Sequence, residues 1–232
     1  MAESLREQLK DLALGCRILA REGQGDMIWG HVSVRDPDGQ GIWMKGHTLG
    51  LEEITPADIL HVGFDGKVIE GRGRRHNEWP IHTELMLARP GVNCVVHTHP
   101  PYAITFGALS VPLRPVSHEA LRFSTPEFPR FTKTSNLITT PALGKALSDT
   151  LAANDGVLLQ NHGIAVTGPD IQSAVIRAVF LERACQLQLM ALSTGQPYAW
   201  TRDDELEEKR AIINSNESFK LAFEYYRRVM SH

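Results

Sequence analysis

Short apolar runs bounded by turn residues fill the middle of this chain of 232 residues. Runs of this length are typical of strands, in which side chains alternate between the two faces. Asp65 and Gly66 alone separate two of the runs, which is the signature of a tight hairpin. The pattern predicts strands over these ranges: 31–35, 41–45, 59–64, 67–69, 92–97, 156–160 and 164–167.

Helical stretches flank and separate these runs. Residues 4–22 carry apolar side chains at helical spacing, and Asp170 is the predicted N-cap of a long helix that runs to about Thr194. A final helix is predicted over 203–229, and shorter helices over 80–88, 102–109 and 144–153. The irregular segment 107–141 is interpreted as an active-site loop or as a plain surface excursion. We therefore expect an α/β fold, organised as a single domain over residues 1–232.

Composition narrows the classes of protein that this chain can represent. Hydrophobic residues make up 42% and charged residues 22%, which argues against disorder, and no apolar run approaches the roughly 20 residues of a membrane span. The net charge is −3 and no segment is rich in Lys and Arg. The sequence therefore predicts no basic surface for binding nucleic acid or an anionic membrane. The first residues, MAESLREQLK, do not resemble a signal peptide. We expect a cytoplasmic protein that binds a small molecule, with three buried thiols at Cys16, Cys94 and Cys185.

Three histidines stand where apolar runs end. His97 and His99 lie two positions apart, so a strand would direct both imidazoles to one face, and neutral imidazole is the commonest nitrogen ligand of zinc and similar metals. His162 follows the run 156–160 at a tight turn, where Gly163 is expected to permit unusual dihedral angles. Three protein ligands would leave coordination positions open, as a catalytic metal requires. The alternative is a set of ordinary polar residues at strand ends and turns.

A carboxylate precedes the helix predicted over 80–88. Glu78 is a candidate general acid or base, and the alternative is an ordinary first-turn glutamate. His82 follows at helical spacing and is interpreted as a histidine that supports a ligand or packs in the core.

Taken together, these motifs resemble the class II aldolase/adducin family over nearly the whole chain. Glu78, the His97-Thr98-His99 pair and Asn161-His162-Gly163 occur in the family's order, as do the motifs at 30–35 and 88–92. The resemblance implies a three-layer α/β/α sandwich around a mainly antiparallel sheet. It also implies one divalent metal per subunit, zinc or manganese with cobalt or iron as further candidates, and a homotetramer whose active sites lie between subunits.

The sugar-phosphate aldolases of this family are similar to one another in a phosphate pocket of Asn, Thr, Gly and two Ser. The matching positions here carry bulkier side chains, which makes a sugar phosphate a poor fit; they are His31, His47, Thr48, His76 and Asn77. The family's tyrosine acid falls near His118 and Glu119, so His118 joins Glu78 as a candidate proton donor.

The motif at 30–37 is more similar to the decarboxylase branch, whose members act on hydroxylated aromatic dicarboxylates such as 3,4-dihydroxyphthalate. In this hypothesis a phenolic oxygen and its neighbouring carboxylate bind the metal, which stabilises an enolate-like charge as carbon dioxide leaves. Arg74, Arg75, His31 or His47 would bind the second carboxylate. One alternative is a retro-aldol lyase acting on an unphosphorylated hydroxy acid or aldehyde adduct. Another is a non-catalytic, adducin-like interaction domain.

Overall fold

The computed structural model describes residues 3–124 and 127–230. Within them, eight strands form one sheet: β1 (His31–Arg35), β2 (Gly41–Lys45), β3 (Ile59–Gly63), β4 (Val68–Glu70), β5 (Cys94–Thr98), β6 (Arg130–Phe131), β7 (Gly156–Leu159) and β8 (Gly163–Gly168). Their order across the sheet is β4-β3-β2-β1-β5-β8-β7-β6. Every neighbouring pair is antiparallel except β6 and β7. The mainly antiparallel sheet is therefore confirmed.

Helices cover both faces of the sheet. They are α1 (Glu3–Leu19), α2 (Trp79–Ala88), α3 (Pro101–Gly107), α4 (Pro141–Leu151), α5 (Ile171–Ser193), α6 (Asp203–Ile213) and α7 (Asn216–Val229). One hydrophobic core unites α1, α5 and α7 with the first face. A second core unites α2 and α4 with the opposite face. Two cores separated by a sheet are the expected α/β/α sandwich.

Alternation along the central strands decides which side chains face α2. Val96 packs into the first core and Val95 into the second, so His97 lies on the same face as Val95. In the antiparallel pairing of β1 with β5, His31 lies opposite His97 and Ser33 lies opposite Val95. Polar side chains from both strands therefore occupy the α2 side of the sheet.

Several elements differ from their predicted bounds by a few residues, and two predicted segments differ in kind. The final helix is broken between α6 and α7, because Ser215 adopts an extended conformation (ψ 155°) and its side chain accepts a hydrogen bond from the backbone N–H of Ser218. The irregular segment 107–141 contains β6, whose two residues carry too little pattern to be recognised alone. A local hydrogen bond divides the helix, and pairing with the distant strand β7 forms β6. The hydrophobic pattern indicates neither.

Among the described residues, no helix has both the length and the apolar character to cross a membrane. The three cysteines are free and buried, as expected.

Candidate metal centre and its cavity

Four side chains converge at the end of the sheet that lies beside the start of α2. They are Glu78, His97, His99 and His162, and we call them the His/Glu cluster. One nitrogen or oxygen atom from each lies within 4.8 Å of the others. The members come from the residue before α2, from β5 and just beyond it, and from the turn between β7 and β8. The sandwich therefore joins residues that lie up to 84 positions apart, from Glu78 to His162.

Hydrogen bonds orient two of the imidazoles. The Nδ1–H of His97 donates to the carbonyl of Ile164 at 2.8 Å, and the Nδ1–H of His99 donates to Oδ2 of Asp26 at 3.0 Å. With their protons on Nδ1, both rings direct the lone pair of Nε2 at the cluster, and these two nitrogens lie 3.2 Å apart. Burial, with His97 and His162 nearby, lowers the pKa of His99 to about 4. His99 is therefore neutral at neutral pH, as a metal ligand must be.

His162 is positioned by the turn that joins β7 to β8. Asn161 takes a left-handed conformation (φ 57°), and the N–H of His162 donates to the carbonyl of Leu159 at 3.0 Å. The sequence predicts that Gly163 permits unusual dihedral angles. That reason is wrong, because the φ of Gly163 is not in the left-handed region. A Cβ there would instead collide with the carbonyl oxygen of Thr98, so glycine is needed for the close approach of β8 to β5.

Glu78 lies between the imidazoles as a buried carboxylate. Its Oε1 accepts a hydrogen bond from the N–H of Ile138 at 2.7 Å, and Oε2 lies 3.5 Å from Nε2 of His97 and 3.6 Å from Nε2 of His162. Burial favours the neutral acid, but the imidazoles of His162 and His97 beside the carboxylate outweigh it and hold the pKa of Glu78 well below its usual range. The segment 107–141 thus reaches the site through Ile138.

These donors suit a divalent transition metal. Two nitrogens bound to one zinc ion at 2.0–2.1 Å in a tetrahedron lie about 3.3 Å apart, close to the observed 3.2 Å between His97 and His99. Both ring nitrogens of His162 are buried without a hydrogen-bond partner among the described residues. A buried nitrogen without a partner is costly, and a bound cation would satisfy it. Three imidazoles and one carboxylate could therefore hold such an ion.

A cavity of about 430 Å³ opens beside the cluster. Three more histidines line it, His31, His47 and His76, which we call the histidine wall. Their ring centroids are 4.3 Å apart for His31 and His76 and 4.9 Å apart for His47 and His76, and the His31 ring lies 4.9 Å from that of His97. Burial is the main cause that lowers the pKa of all three, helped by His76 at His31, by Lys45 at His76 and by Arg74 at His47. At neutral pH the wall is therefore made of uncharged imidazoles, and Nε2 of His76 lies 3.2 Å from the carbonyl oxygen of Gly46.

A buried lysine stands behind this wall. Nζ of Lys45 donates to the carbonyl oxygens of Ile28 at 3.0 Å and Gly46 at 3.2 Å, and lies 3.3 Å from Nε2 of His76. Burial lowers the pKa of Lys45 to about 8, so it is largely charged at neutral pH. A cation at this place makes the wall electrostatically suited to an anionic group.

The predicted binding residues are only partly brought together. His31, His47, His76 and Asn77 line the cavity, whereas Thr48, Arg74 and Arg75 do not. The Arg75 guanidinium instead donates to the carbonyl of Gly66 and lies over the Trp79 ring, 5.3 Å from its centroid. His118 is exposed beside α6 and α7 and does not line the cavity of its own chain.

Asp26, Lys45, Ser33 and the backbone of Ile138 were not predicted from the sequence. Asp26 follows an irregular turn that is anchored by buried Gln24, whose side chain accepts a hydrogen bond from Thr98. No local pattern distinguishes Asp26 or Lys45. Ser33, two positions after His31 on a predicted strand, could have been found from strand alternation.

Comparison with known proteins gives matches over most of the chain. The family model described as Class II Aldolase and Adducin N-terminal domain matches residues 10–189. The chain is 32% identical to the meiotically up-regulated gene 14 protein of Schizosaccharomyces pombe, over 78% of this chain and 72% of that protein. It is 29% identical to a 3,4-dihydroxyphthalate decarboxylase of Arthrobacter keyseri, over 85% and 84%. The solved L-fuculose 1-phosphate aldolase of Glaciozyma antarctica superposes with a TM-score of 0.85 at 26% identity, covering 99% of this chain and 91% of that one.

Proposed function

Because the chain belongs to the class II aldolase and adducin family, we propose that it is a metal-dependent decarboxylase of a hydroxylated aromatic dicarboxylate, of the 3,4-dihydroxyphthalate type. The observation that carries this proposal is the cavity that joins the His/Glu cluster to the histidine wall. Its volume of about 430 Å³ suits a single small aromatic molecule.

Two groups of residues around the cavity would bind different parts of the substrate. A divalent cation held by His97, His99 and His162 would supply Lewis acidity, stabilising negative charge on the substrate's oxygen. Zinc and manganese are the first candidates, then cobalt and iron. In the histidine wall, His31 and His47 would donate hydrogen bonds to the second carboxylate, with His76 packed against both rings and Lys45 adding positive potential.

In the reaction, the bond between the ring carbon and the departing carboxylate breaks, carbon dioxide leaves, and the electron pair stays on the ring carbon. That carbon then needs a proton. Glu78 is a carboxylate in this structure, so it must first accept a proton, and the substrate hydroxyl beside the cluster is a suitable source. Glu78 would then return the proton to the ring carbon. Its place in the cavity favours it over His118, which is exposed elsewhere on the same chain.

The first test is carbon dioxide release from 3,4-dihydroxyphthalate and related hydroxylated dicarboxylates, using metal-stripped protein and the same protein after metal is restored. We expect release only with metal. Aldehyde formation from hydroxy-acid controls, without carbon dioxide release, would favour the retro-aldol reaction instead. A metal-stripped protein that keeps its native fold, and whose only activity is to bind a partner, would favour an adducin-like interaction domain.

The second test separates the two candidate proton donors. Glu78→Gln is expected to lower kcat by about 10²–10⁴, the usual contribution of general acid–base catalysis. Glu84→Gln, on the partly exposed side of α2, is the matched control. Full turnover in Glu78→Gln together with none in His118→Ala would assign the proton to His118.

A homotetramer with active sites between subunits remains part of the proposal. Exposed His118 would then be available to a neighbouring subunit's cavity. Sedimentation should give four times the mass of the chain, and a monomer with full activity would contradict the shared site.

A further inference from the structure

A buried chain of three polar side chains connects β1 to α2 behind the cavity. Nδ1 of His31 lies 2.6 Å from Nε2 of His82, and Nδ1 of His82 lies 2.6 Å from the hydroxyl oxygen of Ser33. His31 is 2% exposed, and Ser33 and His82 are fully buried. With no solvent to compete, each hydrogen in this chain must be donated within it.

The direction of donation is decided at Ser33. In the part of the chain that the structure describes, His82 is the one hydrogen-bond partner of the Ser33 hydroxyl. If Nδ1 of His82 carried a proton and donated it to Ser33, the hydroxyl hydrogen would be buried without an acceptor. The Ser33 hydroxyl therefore donates, and Nδ1 of His82 accepts.

The rest of the chain follows from this first step. With Nδ1 occupied as an acceptor, His82 carries its hydrogen on Nε2 and donates it to Nδ1 of His31. His31 must then carry its own hydrogen on Nε2. A proton on Nδ1 of His31 would place two N–H groups head to head. Only one arrangement of hydrogens satisfies all three side chains.

Nε2 is the ring nitrogen of His31 that His82 leaves free. His31 lines the cavity, and its one side-chain hydrogen bond among the described residues is made through Nδ1. Nε2 has no such partner and is not fully sealed from solvent. The N–H on Nε2 is thus available to a ligand.

We propose that Ser33 and His82 are positioning residues that hold His31 in its Nε2–H form, which makes His31 a hydrogen-bond donor to an anionic oxygen of the ligand. That the oxygen belongs to a carboxylate rests on the proposed function. Among the described residues this chain of hydrogen bonds ends at the Ser33 hydroxyl and gives a proton no onward route, so the role assigned to His31 is to donate a hydrogen bond.

The test of the tautomer is magic-angle-spinning nitrogen-15 NMR of the full chain labelled at histidine and loaded with diamagnetic zinc. The spectrum of His31→Gln assigns the His31 signals by difference. We expect protonated Nε2 and unprotonated Nδ1 for His31 in the parent. In Ser33→Ala we expect both tautomers, whereas Ser148→Ala, at a buried serine on α4, should leave the parent spectrum unchanged.

Ligand binding extends the test. Phthalate carries the two carboxylates without ring hydroxyls, and catechol carries the hydroxyls without carboxylates. Phthalate should shift the Nε2–H signal of His31, and catechol should not. If the two tautomers are equally populated in Ser33→Ala, only half of the protein carries the Nε2–H form that binds phthalate. The affinity for phthalate then falls about twofold, whereas the affinity for catechol is unchanged.

The outcomes distinguish the two proposals. Protonated Nδ1 on His31 in the parent, or an unchanged spectrum in Ser33→Ala, would overturn the role of Ser33 and His82. Suppose instead that the parent shows the Nε2–H form, loses it in part in Ser33→Ala, and yet binds no phthalate. That result would support the role of Ser33 and His82 and reject the dicarboxylate substrate.

Discussion

At the scale of single residues, supporting groups decide what the predicted histidines can do. The spacing of His97 and His99 indicates that they share a face, but Asp26 and the carbonyl of Ile164 decide which nitrogen of each ring is free. Such partners belong to a metal site because they fix the tautomer and the orientation of the ligating rings.

Replacing Asp26 with Asn should weaken metal binding by roughly 10- to 100-fold, the usual effect of losing the carboxylate behind a ligating histidine. The amide no longer provides a charged acceptor for the Nδ1–H of His99. Competition with a chromophoric chelator measures this affinity, and Asp38→Asn, on the exposed β1–β2 turn, is the control. Equal affinities in the two variants would show that Asp26 does not orient His99.

Lys45 predicts a pH dependence of stability. Its pKa is about 8 in the folded protein against an ordinary value of 10.5, so the unfolded chain binds more protons between these pH values. The destabilisation caused by the buried charge is full below pH 8 and disappears as pH rises towards 10.5. His76, Cys16, Glu52 and Glu53 are the titratable groups around it.

Urea unfolding of the parent and Lys45→Met at several pH values measures this effect. The stability of the parent relative to Lys45→Met should rise between pH 8 and pH 10.5. Lys133→Met, at an exposed lysine, should show no such trend. A flat difference for Lys45→Met would place its folded pKa near the ordinary value.

At the scale of elements, the approach of β8 to β5 positions three members of the His/Glu cluster, which are His97, His99 and His162. The strands pair from Cys94 with Gly168 to Thr98 with Ile164, and the turn before β8 carries His162. Gly163 permits this approach because it has no side chain.

Gly163→Ala should therefore lower the free energy of unfolding by about 1–3 kcal/mol, the usual cost of overpacking, and weaken metal binding as well. The new Cβ would meet the carbonyl of Thr98 and lie 2.9 Å from Cδ2 of His99. Gly91→Ala is the control, since its Cβ would have no heavy atom within 4 Å. Unfolding in urea and the chelator titration measure the two effects. A stable variant with unchanged metal affinity would contradict this account of the turn.

At the scale of the whole molecule, a bound metal would join three separate parts of the fold. A ligand that binds only the folded state stabilises it by about 2.7 kcal/mol at 100 times its Kd. For a chain of this size, that corresponds to a rise in Tm of about 5–10 °C. Adding zinc to stripped protein should produce this rise, measured by scanning calorimetry. His97→Ala should abolish it, and His118→Ala should keep it. A rise that survives in His97→Ala would place the metal elsewhere.

The sequence alone predicts much of the fold. Strands β1 and β2 have their predicted bounds, and α5 begins after Asp170, because alternation and capping are local properties of the chain. The division of the last helix and the pairing of β6 were not predicted. The first depends on one serine cap, and the second depends on a parallel partner about 28 positions away.

For the site, the sequence by itself determined which donor groups stand at the ends of strands and helices, including His97, His99, His162 and Glu78. Tertiary structure decided which of them meet, that Asp26 orients His99, and that Ser33 and His82 stand behind His31. Local periodicity places a side chain relative to its own element. Contacts between residues 50 or more positions apart depend on how the sheet and helices pack, because many apolar faces can pair and only the folded chain selects among them.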